Sequence, residues 1–232
     1  MHRTGTITLK RTIDVVVAAL GLILLGPVLG LIALLIVLDS PGPVFYRAER
    51  AGYRGGPLRM LKFRKMHADA AGGNLTVADD ERLTRIGGFL VRSKLDELPQ
   101  LWHVLRGEMS LVGPRPETPD HVARHAADYE VILRVRPGLT GYTQLAFARE
   151  GAILDARDPD IHYVTRLLPQ KVVLDRLYAT RSSTRGDLRI IVATVVTLVL
   201  RQQIAVDRVT GRLTLRRRRP IQATAPRLVG KG

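Results

Sequence analysis

The sequence predicts an α/β, mostly helical protein. An N-terminal re-entrant membrane segment (helix-break-helix) is followed by a small domain on the cytoplasmic side with amphipathic interfacial helices. Three observations predict this. No charged residue occurs from Val15 to Leu38, long enough for a helix to cross the roughly 30 Å hydrocarbon layer. Gly26-Pro27 sits at the middle of that run, where proline removes one i to i−4 bond and kinks or breaks a helix. Downstream, short apolar runs at helical or alternating spacing are separated by Pro/Gly turns. The expected division is 1–42 for the membrane segment and its basic flank, 43–204 for the main domain, and 205–232 for a basic, flexible tail.

The charges refine the membrane reading. Arg3, Lys10 and Arg11 precede the apolar run, and Arg47, Arg50, Arg54, Arg59, Lys62, Arg64 and Lys65 follow it. A spanning helix carries such an excess on its cytoplasmic side only, so a segment that enters and leaves by one face satisfies both flanks. The alternative is an ordinary kinked span, since proline is tolerated in membrane helices. Asp39-Ser40-Pro41-Gly42-Pro43 follows the run where a cleaved signal peptide would need a small-residue cleavage site.

Composition bounds the partners. The 232 residues carry 36 Lys and Arg against 21 acids, a net +15, with only 5% aromatics. The balance predicts an anionic partner: nucleic acid, an anionic membrane face or a phosphorylated substrate. No cysteine is present, which excludes thiolate catalysis, disulfides and Cys-ligated metal sites.

In chain order, Ser40 to Pro43 is a turn cluster, and Val44–Tyr46 and Leu58–Phe63 are strands of a hairpin. The basic group Lys62, Arg64, Lys65 at its end is either a solvated or lipid-facing surface or a set of phosphate ligands. Asp69 to Glu81 is a polar loop and Arg82 to Arg92 a short amphipathic helix. Thr118 to Arg134 is a surface helix whose His121 and His125 lack the glutamate of a metalloprotease motif. Arg136 to Tyr142 is a rigid turn, 158–169 and 171–179 are surface helices, and Ile190 to Leu200 is too short to span, hence a core or interfacial helix.

The stretch Ser93 to Pro116 concentrates the chemistry. Leu98, Leu101, Trp102 and Leu105 fall at i, i+3, i+4 and i+7, predicting a helix that starts near Asp96 and buries that stripe. Pro99 agrees, because proline is tolerated in a first turn. Asp96 and Glu97 then stand at a helix N-terminus, where carboxylates are held ionised. They are either ordinary first-turn acids or a nucleophile with a neighbour that holds a metal or moves a proton. Arg115 lies between two prolines, which limits what it loses on gripping an anion.

Taken together the motifs resemble the bacterial sugar transferase family, the monotopic phosphoglycosyl transferases. The resemblance is carried by Lys10-Arg11-x-x-Asp14, the Pro27 membrane segment, Leu61-Lys62-Phe63-Arg64-Lys65-Met66, Leu95-Asp96-Glu97-Leu98-Pro99-Gln100-Leu101, Gly113-Pro114-Arg115-Pro116-Glu117 and Pro137-Gly138-Leu139-Thr140-Gly141. It implies transfer of a sugar 1-phosphate from a UDP-sugar donor to polyprenyl (undecaprenyl) phosphate, with release of UMP, in exopolysaccharide, O-antigen or glycoconjugate assembly at the bacterial inner membrane. It implies Asp96 as the nucleophile, Glu97 as its catalytic partner, either a magnesium ligand or a proton handler, and Mg2+ with Glu97 and Asp96 as its candidate ligands. Lys62, Arg64, Arg92, Arg115 and Glu117 become candidates for binding the donor's phosphates and nucleotide. Gln144 and Asp187 are candidate assisting groups, Asp187 being equally an N-terminal helix acid. Gly26 and Pro27 mark the re-entrant break. Inner-membrane lipids are an expected partner and a homodimer is a candidate assembly. The rival from another class, a membrane-anchored basic nucleic-acid-binding or scaffold protein, would explain the charge, but no nucleic-acid module is recognisable.

Overall fold

One long helix is docked on the rest of the chain through two shorter helices, Leu101–Arg106 and Arg85–Ser93, and a strand, Ser110–Val112. The computed structural model describes residues 3–216 except 74, 78, 79 and 156. Helix α1 (Arg3–Asp39) is continuous through Pro27, so the expected break at Gly26-Pro27 does not interrupt it. Proline costs one backbone bond and about 3 kcal/mol. Opening the helix would strand further backbone groups in apolar surroundings at several kcal/mol each.

One stripe of α1 is docked along most of its length. Lys10 Nζ donates to Val112 O at 3.0 Å, and Asp14 accepts from Ser110 Oγ at 2.8 Å and Leu111 N at 3.0 Å. Ala18 lies in the main core, and Gly21 faces Leu101 so closely that a Cβ would come within 3.2 Å of its Cδ1. Ile32 and Ile36 pack with Phe63 and Leu90, and Asp39 Oδ2 accepts from Ile86 N at 3.0 Å. The opposite face, including Ile13, Val17, Leu20, Leu24, Leu31 and Leu38, is bare.

The expected hairpin is present as antiparallel β1 (Phe45–Ala51) and β2 (Pro57–Phe63), with Phe45 opposite Phe63. Its tip holds Arg54 at φ 57°. Helix α2 (Arg85–Ser93) begins where Thr84 caps Gly87 N. A 3-10 segment, Leu95–Gln100, leads into α3 (Leu101–Arg106). The α-helix therefore starts later than the sequence pattern predicts. Trp102 is 50% exposed rather than buried with its stripe.

Strand β3 (Ser110–Val112) pairs in parallel with β4 (Gly138–Thr140). The helix expected over 118–134 is divided at His125 into α4 (Pro119–Arg124) and α5 (Ala126–Ile132). Short helices α6 (Tyr142–Ala146) and α7 (Pro159–His162) follow, and a π-helical turn, Tyr163–Leu167, joins α7 to α8 (Leu168–Arg181). Helix α9 (Thr184–Val199) buries Ile190 and Ala193. Residues expected to open a flexible tail form a hairpin instead, β5 (Ile204–Val206) with β6 (Leu213–Leu215). Ile204 is buried in the main core, with Val206 and Leu213 against it. The remainder of the predicted tail, 217–232, lies outside the described residues.

Candidate active site

The carboxylate pair is presented by the 3-10 segment between α2 and α3. Lys94, at φ 62°, turns the chain out of α2, and its carbonyl accepts from Glu97 N. Pro99 sits inside the 3-10 segment and Gln100 is buried at its end. His103 anchors the following helix to β2: Leu61 N donates to Nε2 at 3.0 Å, which leaves Nδ1 to donate to Glu108.

Asp96 and Glu97 have opposite surroundings. Asp96 is only 3% exposed, and its Oδ1 is buried without a hydrogen-bond partner. Burial and then the Glu97 charge push its carboxyl above the usual range, while Lys62, Lys65 and Lys94 pull the other way. Glu97 Oε1 accepts from Lys62 Nζ at 2.8 Å and from Arg115 Nη2 at 3.0 Å. Burial opposes its ionisation, but the summed fields of Lys62, Arg115 and Lys94 hold it well below the ordinary range. The same Glu97 raises Arg115 above its ordinary value against the opposing effect of burial. Adjacent carboxyls are thus pushed in opposite directions, Glu97 down by its cationic partners and Asp96 up by burial.

Arg115 is fixed from behind by glycine-mediated contact between two loops. Gly113 N donates to Thr140 O at 2.9 Å and Gly138 N to Pro114 O at 2.8 Å. A Cβ on Gly138 would lie 2.0 Å from Gly113 N, so these backbones can cross only without side chains. The Gly-Pro-Arg-Pro and Pro-Gly-Leu-Thr-Gly motifs are two halves of one support.

A buried polar network lies under that support. Glu117 Oε1 accepts from Tyr163 Oη at 2.6 Å, and its Oε2 contacts His121 Nδ1 at 3.2 Å. Burial resists its ionisation, but His121, Lys171, Tyr163 and Arg115 together bring it down to about 2. Lys171 is 1% exposed and pairs with Glu150 at 2.6 Å. One turn along α8, Asp175 accepts from Thr143 Oγ1 at 2.6 Å and from Arg115 N at 3.4 Å. Burial pushes Asp175 up to about 7, although Thr143 opposes it.

Of the residues singled out in the sequence, Asp96, Glu97, Lys62 and Arg115 converge. Arg64 does not join them: its guanidinium donates to the carbonyls of Pro41 and Ser40, the latter at 2.7 Å, just beyond the end of α1. Arg92 lies exposed on α2. Glu117 is committed to the network behind Arg115. Gln144 Nε2 donates to Gly138 O at 3.1 Å, bracing the loop crossing. Asp187 accepts from Lys10 at 2.6 Å and Tyr178 at 2.8 Å, tying α9 to α1.

The sequence offers Lys65 only within the basic cluster, as a surface group or a phosphate ligand, and does not place it near Asp96. Burial pushes Lys65 down to about 8, with Asp96 as the leading charge acting in the opposite direction. Sequence reasoning missed Lys171, Asp175 and Glu150, whose only signal was a Lys and an Asp four apart on one helix. Among the described residues no three His, Cys, Asp or Glu side chains converge as a metal-binding group. Adjacent carboxylates with an unpartnered buried oxygen nevertheless suit Mg2+, which commonly takes one or two carboxylates and completes its shell with water and substrate phosphate.

The bacterial sugar transferase family model matches residues 5–201. The chain belongs to that family. This sugar transferase is 40% identical over 195 residues to the UDP-glucose:undecaprenyl-phosphate glucose-1-phosphate transferase of Caulobacter vibrioides, across 82% of this chain and 69% of that one. It is 44% identical over 146 residues to the protein of the same description in Escherichia coli strain K12, across 59% of this chain but only 31% of that one. Similarity to the exopolysaccharide production protein PSS of Rhizobium leguminosarum bv. phaseoli is 35% over 212 residues, covering 84% of this chain and 97% of that one. The sugar transferase match ends before the β5–β6 hairpin.

Proposed function

We propose that this chain transfers a sugar 1-phosphate from a UDP-sugar to undecaprenyl (polyprenyl) phosphate through a covalent Asp96-phosphosugar, releasing UMP at the first membrane step of glycan assembly. The observation that carries the mechanism is the buried, unpartnered Oδ1 of Asp96 beside a Glu97 already neutralised by Lys62 and Arg115. The names of the relatives support the donor and acceptor classes.

An Asp96 oxygen forms a bond to the phosphorus bearing the sugar. The bridging P–O bond breaks, and UMP leaves with the electron pair. An oxygen of polyprenyl phosphate then attacks the same phosphorus, the Asp96–phosphorus bond breaks, and the carboxylate is regenerated. One difficult transfer becomes two easier ones. Lys62 and Arg115 oppose the repulsion between an anionic donor and an anionic nucleophile, and their shared partner Glu97 keeps them placed before substrate arrives. Bound through Asp96 and Glu97, Mg2+ would add positive charge at the donor phosphates and favour ionised Asp96.

The membrane part of the proposal is that α1 leaves the bilayer by the face it enters, with the catalytic body on the cytoplasmic side. Its support is that Lys10, Asp14, Ile36 and Asp39, near opposite ends of α1, all contact the same body.

Asp96→Asn tests the chemistry. We expect UMP release to fall to background and no labelled phosphosugar to remain on the protein when UDP-sugar is supplied alone. Retained turnover in this variant would remove Asp96 from the nucleophile's role.

A further inference from the structure

Two short helices flank α1, and each turns an aromatic side chain outward. Helix α3 packs along the N-terminal half of α1: Leu101 meets Gly21, and Arg11 donates to the carbonyls of Val104 and Leu105, the latter at 2.7 Å. The next side chain after Leu101, Trp102, is 50% exposed. Helix α2 packs along the C-terminal half through Ile86 and Leu90 against Ile32 and Ile36. Its Phe89 is 52% exposed. Both aromatics therefore stand on the body's surface beside a helix whose own outer face is apolar and bare.

Cations accompany both rings. Arg85 and Arg92 are exposed at i−4 and i+3 from Phe89, which places all three on one face of α2. Arg106 is exposed one turn from Trp102 and pairs with Glu108 at 2.9 Å. An aromatic ring with an arginine one turn away matches the membrane–water boundary, where the ring sits among glycerol and headgroup atoms and the guanidinium reaches phosphate. Burying Trp102 or Phe89 in the body would also have been open to a sequence with free choice at these positions. Their exposure on two helices that border α1, each with exposed arginine one turn away, fits a partner with both apolar and anionic character.

We propose that Trp102 and Phe89 form an aromatic collar around α1 that seats in the phospholipid headgroup layer and sets the height of the active-site segment. That segment, Leu95–Gln100, runs directly between α2 and α3, so anchoring both helices fixes Asp96 relative to the lipid surface. The collar rests on α1 being lipid-bound and does not depend on the transfer chemistry.

Trp102 is the sole tryptophan of the chain, so its emission reports the collar directly. The test places the full chain in vesicles of phosphatidylethanolamine and phosphatidylglycerol, with or without brominated acyl chains, and recovers them by flotation. Expected are a blue-shifted emission, loss of most of the intensity in brominated lipid, and stronger quenching by bromines near the headgroups than by bromines near the chain ends. The double variant Trp102→Phe with Phe89→Trp moves the reporter to α2 and should show the same shallow profile. Emission that stays unquenched and open to iodide while the protein floats with the vesicles overturns the collar but leaves α1 in the membrane. Protein that does not float overturns the collar and the lipid-bound reading of α1 together, while UMP release assayed in detergent would still judge the chemistry separately.

Discussion

At the scale of single residues, Asp175 makes a prediction that surface chemistry cannot imitate. Its carboxyl is buried, one oxygen is held by Thr143 and the backbone of Arg115, and the other has no partner. Glu117 and Lys171 face it from the Arg115 loop and from its own helix, and it acts on Tyr129 of α5. Burial raises it to about 7, whereas an unfolded chain titrates aspartate near 3.9. Between about pH 4 and about pH 7 the folded state keeps a proton that the unfolded state has released. The unfolded state binds fewer protons there, so Asp175 makes stability fall as pH rises, by about 1.4 kcal/mol per unit at most. Asp175→Asn removes that slope. Thermal unfolding of both proteins in detergent at about pH 5 and about pH 8 should show the variant gaining on the parent as pH rises; parallel curves would mean that Asp175 is already ionised in the folded protein.

At the scale of elements, the crossing of the Gly-Pro-Arg-Pro loop with β4 decides where Arg115 stands. Alanine at position 138 would bring a Cβ to 2.0 Å from Gly113 N and 2.6 Å from Thr140 O, distances that only separation of β3 from β4 can relieve. Gly138→Ala should therefore cost at least about 1–3 kcal/mol, the usual range for overpacking, and weaken donor binding because Arg115 moves with its loop. Gly30→Ala meets nothing within 4 Å and serves as the control. Equal melting temperatures and equal donor KM for these two variants would refute the loop-crossing argument. The sequence made much of this level readable, because hairpin, turn and motif signals are local: β1–β2 and the Pro-framed Arg115 follow from neighbours in the chain, whereas the helix expected from Arg82 starts at Arg85 behind the Thr84 cap. Reading failed where partners are distant. Lys171, Asp175 and Glu150 look like surface residues until α8 is laid against the Arg115 loop, and Arg64 looks like a phosphate ligand until the end of α1 supplies two carbonyls for it. Helical period places Trp102 in the core because it marks an apolar stripe and not how much of that stripe is covered, and the structure leaves the ring 50% exposed. The early hairpin strands at 204–206 and 213–215 were hidden by the arginines around them, although Asp207 organises their turn by accepting from Val209 N and Thr210 N.

At the scale of the whole molecule, the question is how a helix of 37 residues, about 1.5 Å per residue and so long enough to cross a bilayer, can have both ends on one body. A straight crossing would carry one end to the far side, roughly 30 Å away, and would tear either the Lys10, Asp14 and Ala18 contacts or those of Ile32, Ile36 and Asp39 from the catalytic body. The first set includes Asp14, buried and accepting from Ser110 and Leu111 N, and stranding such a carboxylate in lipid costs several kcal/mol. The re-entrant arrangement proposed above keeps both sets by leaving the two ends on one face of the membrane. Because the chain contains no cysteine, single introduced thiols report this without background. His2→Cys and Pro43→Cys should both react with a membrane-impermeant maleimide in inside-out vesicles and both be protected in right-side-out vesicles. Opposite protection of the two positions would show that α1 spans, and would place the contacts at one of its ends in conflict with the membrane-bound protein.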